Sequence, residues 1–225
     1  MPTVAPAELA QRLRGLNLYL VGMMGAGKSA VARPLARALG YRFIDVDTAL
    51  ERSAGRTIPR IFAEDGEEGF RALETAVLNE LAQWHSLVVA TGGGVVTRPV
   101  NWGHLHQGVV IWLDAPEAVL LQRLRADPTP RPLLDAPDPE DRLRQLLEQR
   151  RPLYAQADLH VRQGLDSPEG VANRVLEALP SLLREGAQAP EEGITLHLSD
   201  GRQATSLNEV VLDPAADGLP QGGAS

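Results

Sequence analysis

Gly22-Met23-Met24-Gly25-Ala26-Gly27-Lys28-Ser29 has the spelling G-x-x-x-x-G-K-S, a glycine loop whose backbone N–H groups can cradle phosphate. Lys28 is the only lysine in 225 residues, and the chain uses arginine elsewhere. The exception falls where a compact point charge is wanted and a planar fork would not fit. The flanks suit the loop. Residues 16–21 (Leu-Asn-Leu-Tyr-Leu-Val) read as a short buried strand, and residues 29–39 carry a helical apolar stripe that stops at Gly40. Pro34 is expected near the first turn of that helix, where a missing N–H matters least. Strand, loop and helix N-terminus together offer N–H groups and a positive dipole end to a nucleoside triphosphate. Lys28 is placed to reach the β- and γ-phosphates, and the Ser29 hydroxyl to ligate Mg²⁺.

The length allows one α/β domain with an appendage, and 44% hydrophobic residues can bury a sizeable core. There is no apolar run long enough to span a bilayer and no secretory pattern at the start. With no cysteine, disulfides and thiolate metal sites are excluded while oxygen-ligand metals remain open. These features suggest a cytoplasmic protein without a membrane partner. The net charge is −7, of which residues 186–225 contribute −5 through six acids and one arginine, leaving −2 for the body. A nearly neutral body argues against nucleic-acid binding.

Along the chain, strands are expected at 41–47, 87–91, 109–113 and 159–162. Helices are expected at 48–54, 58–64, 68–84, 116–125, 140–150 and 168–184. Strands alternating with helices imply a parallel sheet covered on both faces. Residues 1–13 read as a lead-in, 14–186 as the P-loop domain, and 126–139, rich in Pro and Asp, as a mobile lid. The 187–225 extension is acidic and rich in Gly and Pro; its apolar stretches 194–198 and 210–212 could form a hairpin, or the extension could be disordered.

A P-loop alone leaves transporters, switches, motors and kinases open. Asp45 and Asp47, two apart at the end of a strand, should point the same way at the ligand-binding edge. One could hold Mg²⁺ through water beside Ser29, the other a substrate hydroxyl. Gly92-Gly93-Gly94 ends a strand, where bare backbone suits close approach of a ligand. Arg71 and Arg150 supply forks that match a carboxylate, and Arg131 in the lid could stabilise charge developing on a transferred phosphoryl group.

Six segments taken together, GMMGAGKS (22–29), FIDVD (43–47), DGEEGFRALE (65–74), TGGG (91–94), RPLL (131–134) and RRPLY (150–154), resemble the shikimate kinases in order and spacing. The resemblance implies a nucleoside-monophosphate-kinase-like P-loop fold, α/β in three layers, with five parallel strands in the order 2-3-1-4-5. It also implies transfer of the ATP γ-phosphoryl group to the 3-hydroxyl of shikimate, with Mg²⁺, by a monomer. By motif, Gly22, Gly25, Ala26, Gly27, Lys28, Ser29, Ala30 and Arg131 would serve ATP, with Ser29 and water-bridged Asp45 holding the metal. Asp47, Arg71, Glu74, Gly93, Gly94 and Arg150 would serve shikimate, with Lys28, Asp47 and Arg131 as the catalytic set. For the adenine the sequence offers only Arg125 and the Asp166-Ser167-Pro168 turn.

The flanking arginines are expected to lower the pKa of Asp47, so that it orients the hydroxyl and accepts its proton late. Two alternatives stand beside this. One is another small-polyol kinase, such as a gluconate kinase; the other is an idle nucleotide-binding regulator on the same scaffold.

Overall fold

A computed structural model describes residues 4–183 apart from 128, 130 and 136, together with the backbone of 196–197 and 203–204. The chain divides into two units, Met1–Leu183 and Arg184–Ser225. The first is built from β1 (Leu18–Val21), β2 (Arg42–Asp45), β3 (Leu87–Ala90), β4 (Val109–Asp114) and β5 (Leu159–Arg162), all parallel, in the order β2-β3-β1-β4-β5. This is the P-loop, nucleoside-monophosphate-kinase-like sheet expected from the sequence.

The three central strands, β1, β3 and β4, are apolar and buried almost throughout because both faces are covered, whereas the edge strands β2 and β5 carry Arg42, His160 and Arg162 outward. Leu18 and Leu20 of β1 point into one core with Val88, Ile111 and Leu113, while Tyr19 and Val21 point into the other with Val89, Val110 and Trp112. The first core is closed by α1 (Pro6–Leu13), α2 (Lys28–Leu39) and α8 (Pro168–Ala178), the second by α4 (Ile58–Ala82) and α5 (Pro99–Leu105). The remaining helices are α3 (Val46–Ala54), α6 (Glu117–Ala126) and α7 (Pro139–Tyr154). Helix α7 gives Leu143, Leu146 and Leu147 to the first core and Tyr154 to the second, so it carries residues across the sheet.

Several elements depart from expectation. Helices α1 and α5 were not anticipated; α1 lies within the lead-in and buries Leu9 and Leu13. Pro34 is the seventh residue of α2, well inside it, because the helix starts at Lys28 as the loop closes. Strand β2 ends at Asp45, not at 47. The Asp45 carboxylate accepts the Thr48 N–H at 3.1 Å and caps α3, turning the chain into a helix two residues early. The two helices expected at 58–64 and 68–84 are both present, as the two arms of α4 on either side of a kink at Gly66, whose backbone is non-helical (φ 72°, ψ −175°). Helix α7 runs on to Tyr154, through Pro152. In the lid stretch, Pro132–Leu134 form a short 3₁₀ turn. In the second unit, β6 (Leu196–His197) pairs antiparallel with β7 (Gln203–Ala204). The rest of the extension, including 210–212 and whether it is ordered, lies outside the described residues.

At the amino edge of the sheet a buried Asn17 joins three strands. Its Nδ2 donates to the Trp84 carbonyl at 2.8 Å, its Oδ1 accepts the Leu87 N–H at 3.0 Å, and its carbonyl accepts the Val109 N–H at 2.8 Å. Asn17→Ala leaves the buried Leu87 N–H and the part-buried Trp84 carbonyl without this partner, so urea unfolding is expected to show a loss of about 2 kcal/mol with the activity of the folded protein intact. A loss under ~0.5 kcal/mol, no more than an ordinary surface change, would show the side chain to be dispensable.

Candidate active site

A cavity of about 970 Å³ opens at the carboxyl edge of the sheet, beyond the ends of β1, β2 and β3. The P-loop forms one wall. Gly25 (φ 79°) and Gly27 (φ 81°) take left-handed conformations that an L side chain rarely adopts. Helix α2 starts at Gly27 with no capping side chain, which leaves first-turn N–H groups for an anion. Lys28 is buried, and its Nζ donates to the carbonyls of Gly22 at 2.9 Å and Met23 at 3.1 Å. Burial pulls its pKa down to about 8, against Asp47 and Asp45, which raise it. Gly25, Gly27, Lys28, Ser29 and Ala30 line the cavity. Gly22 and Ala26 lie behind it: a side chain on Gly22 would meet the Leu113 carbonyl, and Ala26 is buried in the first core.

The second wall carries the acids. Ser29 Oγ donates to Asp45 Oδ2 at 2.5 Å, so two hard oxygen donors stand side by side next to the P-loop. Such a pair fits Mg²⁺, which keeps several water ligands and takes others from substrate phosphates. Asp47 reaches the cavity from the first turn of α3, not from a strand. Its pKa is pushed up to about 6, first by burial and then by Asp45, with Lys28 opposing. The expectation of a lowered value is therefore overturned. The arginines that were to lower it are engaged elsewhere, Arg71 on Glu74 at 2.8 Å and on Glu67 at 3.1 Å, Arg150 on the Gly93 carbonyl at 3.2 Å.

Arg71, Glu74, Gly93, Gly94 and Arg150 line the far end of the same cavity, and the two arginines and Glu74 are buried. Burial holds the Glu74 carboxyl above the usual carboxylate range, against Arg71, and its Oε1 has no hydrogen-bond partner among the described residues. The glycines have a second use that the sequence did not reveal. A methyl on Gly92 would collide with the Glu74 carboxylate, and one on Gly94 with the Arg71 guanidinium. Bare backbone here makes room for the charged side chains, as well as for a ligand.

Arg131 also lines the cavity, held by its own loop: Nη2 donates to Asp127 Oδ2 at 2.5 Å and Nη1 to the Thr129 carbonyl at 3.0 Å. Arg123 was missed. From α6 it donates to the Gly25 carbonyl at 3.2 Å and the Gly164 carbonyl at 3.4 Å, beside the P-loop. Arg125, the sequence's candidate for adenine, faces away, exposed and paired with Glu140. The 166–168 turn is likewise spent on structure, Asp166 holding Arg174 and Ser167 capping α8.

A family model described as shikimate kinase matches residues 24–180. Shikimate kinases from Synechococcus sp. (strain RCC307) and Synechococcus elongatus are 58% and 50% identical to the chain over 183 residues, 81% of it, and these stretches cover 94% and 96% of those proteins. The chain belongs to the shikimate kinase family. Among solved structures, the shikimate kinase from Acinetobacter baumannii in complex with shikimate matches with a TM-score of 0.73 at 43% identity, covering 77% of this chain and 97% of that one. The family spans the P-loop, the acid pair, TGGG, RPLL and RRPLY, the segments whose side chains meet in the cavity.

Burial moves two groups of this cavity toward neutral pH, the Asp47 carboxyl up to about 6 and the Lys28 ammonium down to about 8. A reaction that needs the Asp47 carboxylate and the Lys28 ammonium together is favoured between those values. With MgATP far below its KM, kcat/KM for shikimate reports the free enzyme, so a bell with limbs near those two values is expected. At saturating MgATP the alkaline limb should move up, since phosphate replaces the lost hydration of Lys28. An acid limb at the ordinary carboxylate value would remove Asp47 from the assignment.

Proposed function

We propose that this cavity carries out the family reaction through the residues described above: ATP- and Mg²⁺-dependent phosphorylation of the 3-hydroxyl of shikimate. The chain is an ATP-dependent shikimate kinase, a transferase acting in aromatic amino acid biosynthesis. The observation that carries the residue assignment is Arg150. It is a buried guanidinium whose hydrogen-bond partner is a neutral carbonyl, and among the described residues no carboxylate lies within ion-pair distance of it. A buried cation in that state calls for an anionic ligand. With Arg71 beside it, the match is a small acid's carboxylate.

Shikimate would enter with its carboxylate on Arg71 and Arg150 and its hydroxyls toward Asp47 and the free Oε1 of Glu74. The 3-hydroxyl oxygen then attacks the γ-phosphorus while the bond to the ADP oxygen breaks, and the hydroxyl proton passes to Asp47. With a pKa near 6 in the free pocket, Asp47 is a better base than an exposed carboxylate. Lys28, the α2 N-terminus and Arg131 stabilise charge on the phosphoryl oxygens. Arg131 must exchange Asp127 for phosphate to do so. Ser29, and Asp45 through water, would hold Mg²⁺, which would supply positive charge to the phosphates. Arg123 and the neighbouring Gly164 are the better candidates for the nucleotide base.

The working form is proposed to be a cytoplasmic monomer, since one chain supplies every residue assigned. Among the described residues no helix is long and apolar enough to cross a membrane.

ADP release from MgATP with shikimate, gluconate or no acceptor tests the whole reading. Turnover is expected with shikimate alone. Arg150→Ala should raise KM for shikimate roughly a hundredfold, about 2–3 kcal/mol for a charged hydrogen-bonded contact, and leave KM for MgATP in place. Asp47→Asn should lower kcat by about 10³. A change in KM alone would make Asp47 a binding residue only. Equal turnover with gluconate would restore the polyol-kinase alternative, and ADP release independent of any acceptor would leave only a nucleotide site.

A further inference from the structure

One backbone carbonyl, that of Gly93, receives two side-chain donors from the same helix. Tyr154 Oη donates to it at 2.5 Å and Arg150 Nη1 at 3.2 Å. The two donors are four residues apart on α7 and so share a helix face. We propose that Tyr154 is a positioning residue for the substrate carboxylate clamp, holding Gly93 so that Arg150 can offer its remaining donors to the acid.

The tyrosine is well fixed for this role. It is fully buried, with its ring stacked on Trp112 of β4 at 5.9 Å, and Trp112 stacks in turn on His160 of β5 at 4.1 Å. Burial pushes the phenol up to about 12, so it stays a hydrogen donor at any working pH. Its acceptor is just as constrained. A Cβ on Gly93 would stand 3.3 Å from the Met24 nitrogen and 3.6 Å from the Gly22 carbonyl oxygen, so this glycine packs directly on the P-loop. The peptide unit joining Gly93 to Gly94 is planar, so fixing the Gly93 oxygen also fixes the Gly94 nitrogen. Gly94 is the backbone against which the Arg71 guanidinium lies. One hydroxyl therefore sets the acceptor of Arg150 and the seat of Arg71, and both arginines face the same ligand.

Without the hydroxyl, the Gly93 carbonyl would be left to Arg150 alone. The guanidinium would turn further onto it, because a buried acceptor is seldom left half-satisfied, and the fork would leave the direction the substrate needs. Phosphate chemistry on Lys28 and Ser29 would be untouched. A tyrosine that only filled the core would behave differently: its loss would lower stability and leave the ratio of the two substrates' KM values alone.

The inference rests on the shikimate reading above, and the experiment separates the two. Tyr154→Phe keeps the ring and removes the donor. KM for shikimate is expected to rise about tenfold, with kcat and KM for MgATP each within about twofold of wild type. In the Arg150→Ala background the same change should raise KM by clearly less than it does in the wild type, because only the part that acts through Gly94 and Arg71 remains. The stabilisation of the protein by shikimate in thermal unfolding should shrink while that by MgADP persists.

An unchanged KM for shikimate would overturn the proposal. So would KM values for both substrates rising together, or full additivity with Arg150→Ala. Should Tyr154→Phe fail to fold, Trp112→Phe loosens the ring's seat and keeps the hydroxyl; a selective rise of about twofold to threefold is then expected, and none would overturn the proposal. Wild-type protein inert toward shikimate would instead sink the functional reading itself.

Discussion

Lys28 is an ammonium held out of water, and the neighbouring charges compensate for that placement. Among the described residues its three donors find the Gly22 and Met23 carbonyls, and desolvation alone would push it toward neutrality. Asp45 and Asp47 oppose that shift, and Arg150 adds to it. Asp47 is in turn pushed up to about 6 by its own burial and by the neighbouring Asp45 charge. Three carboxyl groups (Asp45, Asp47, Glu74) thus face three cations (Lys28, Arg71, Arg150) around one cavity. Lys28 is coupled to both Asp47 and Glu74, so its substitution alters the proton affinity of those two acids.

The parallel sheet makes this cluster possible. Strands buried on both faces place their carboxyl ends, and the loops that follow, at one edge. Helix α7 then brings a residue from the other end of the chain to that edge. Because Leu143, Leu146 and Leu147 anchor one end of the helix in the first core and Tyr154 the other end in the second, Arg150 is held between two packed ends. Precision in the clamp comes from apolar packing on either side of the charge.

Much of this was legible in the sequence, and the reasons for the gaps are physical. The glycine loop, five strands and principal helices are local patterns, and ordered motifs supplied the strand order. Helix α1 was passed over because only Leu9 and Leu13 mark its buried face, and α5 because it is seven residues long with a glycine inside. The Asp45–Asp47 pair reads as strand alternation until the cap on Thr48 is seen; the same spelling serves both conformations. The pKa of Asp47 was misjudged because an arginine's effect depends on what already occupies its fork, a tertiary fact. Arg123 was invisible because its acceptors lie 98 and 41 residues away and no motif surrounds it.

Selectivity in such a site follows from what is left unsatisfied in a wrong complex. Arg71 reaches the cavity already paired with Glu74 and Glu67, whereas the hydrogen-bond acceptor of Arg150 among the described residues is the neutral Gly93 carbonyl. An acceptor molecule of the right size without a carboxylate would bury Arg150 further from water and give it nothing in return. The resulting penalty, an uncompensated buried charge, exceeds what any neutral contact there could recover. A ligand that does carry the carboxylate meets a fork whose orientation is fixed before it arrives, so little ordering remains to be done on binding. On the proposed assignment, discrimination against neutral polyols would be set in advance by the packing of α7 and the bare backbone of residues 92–94.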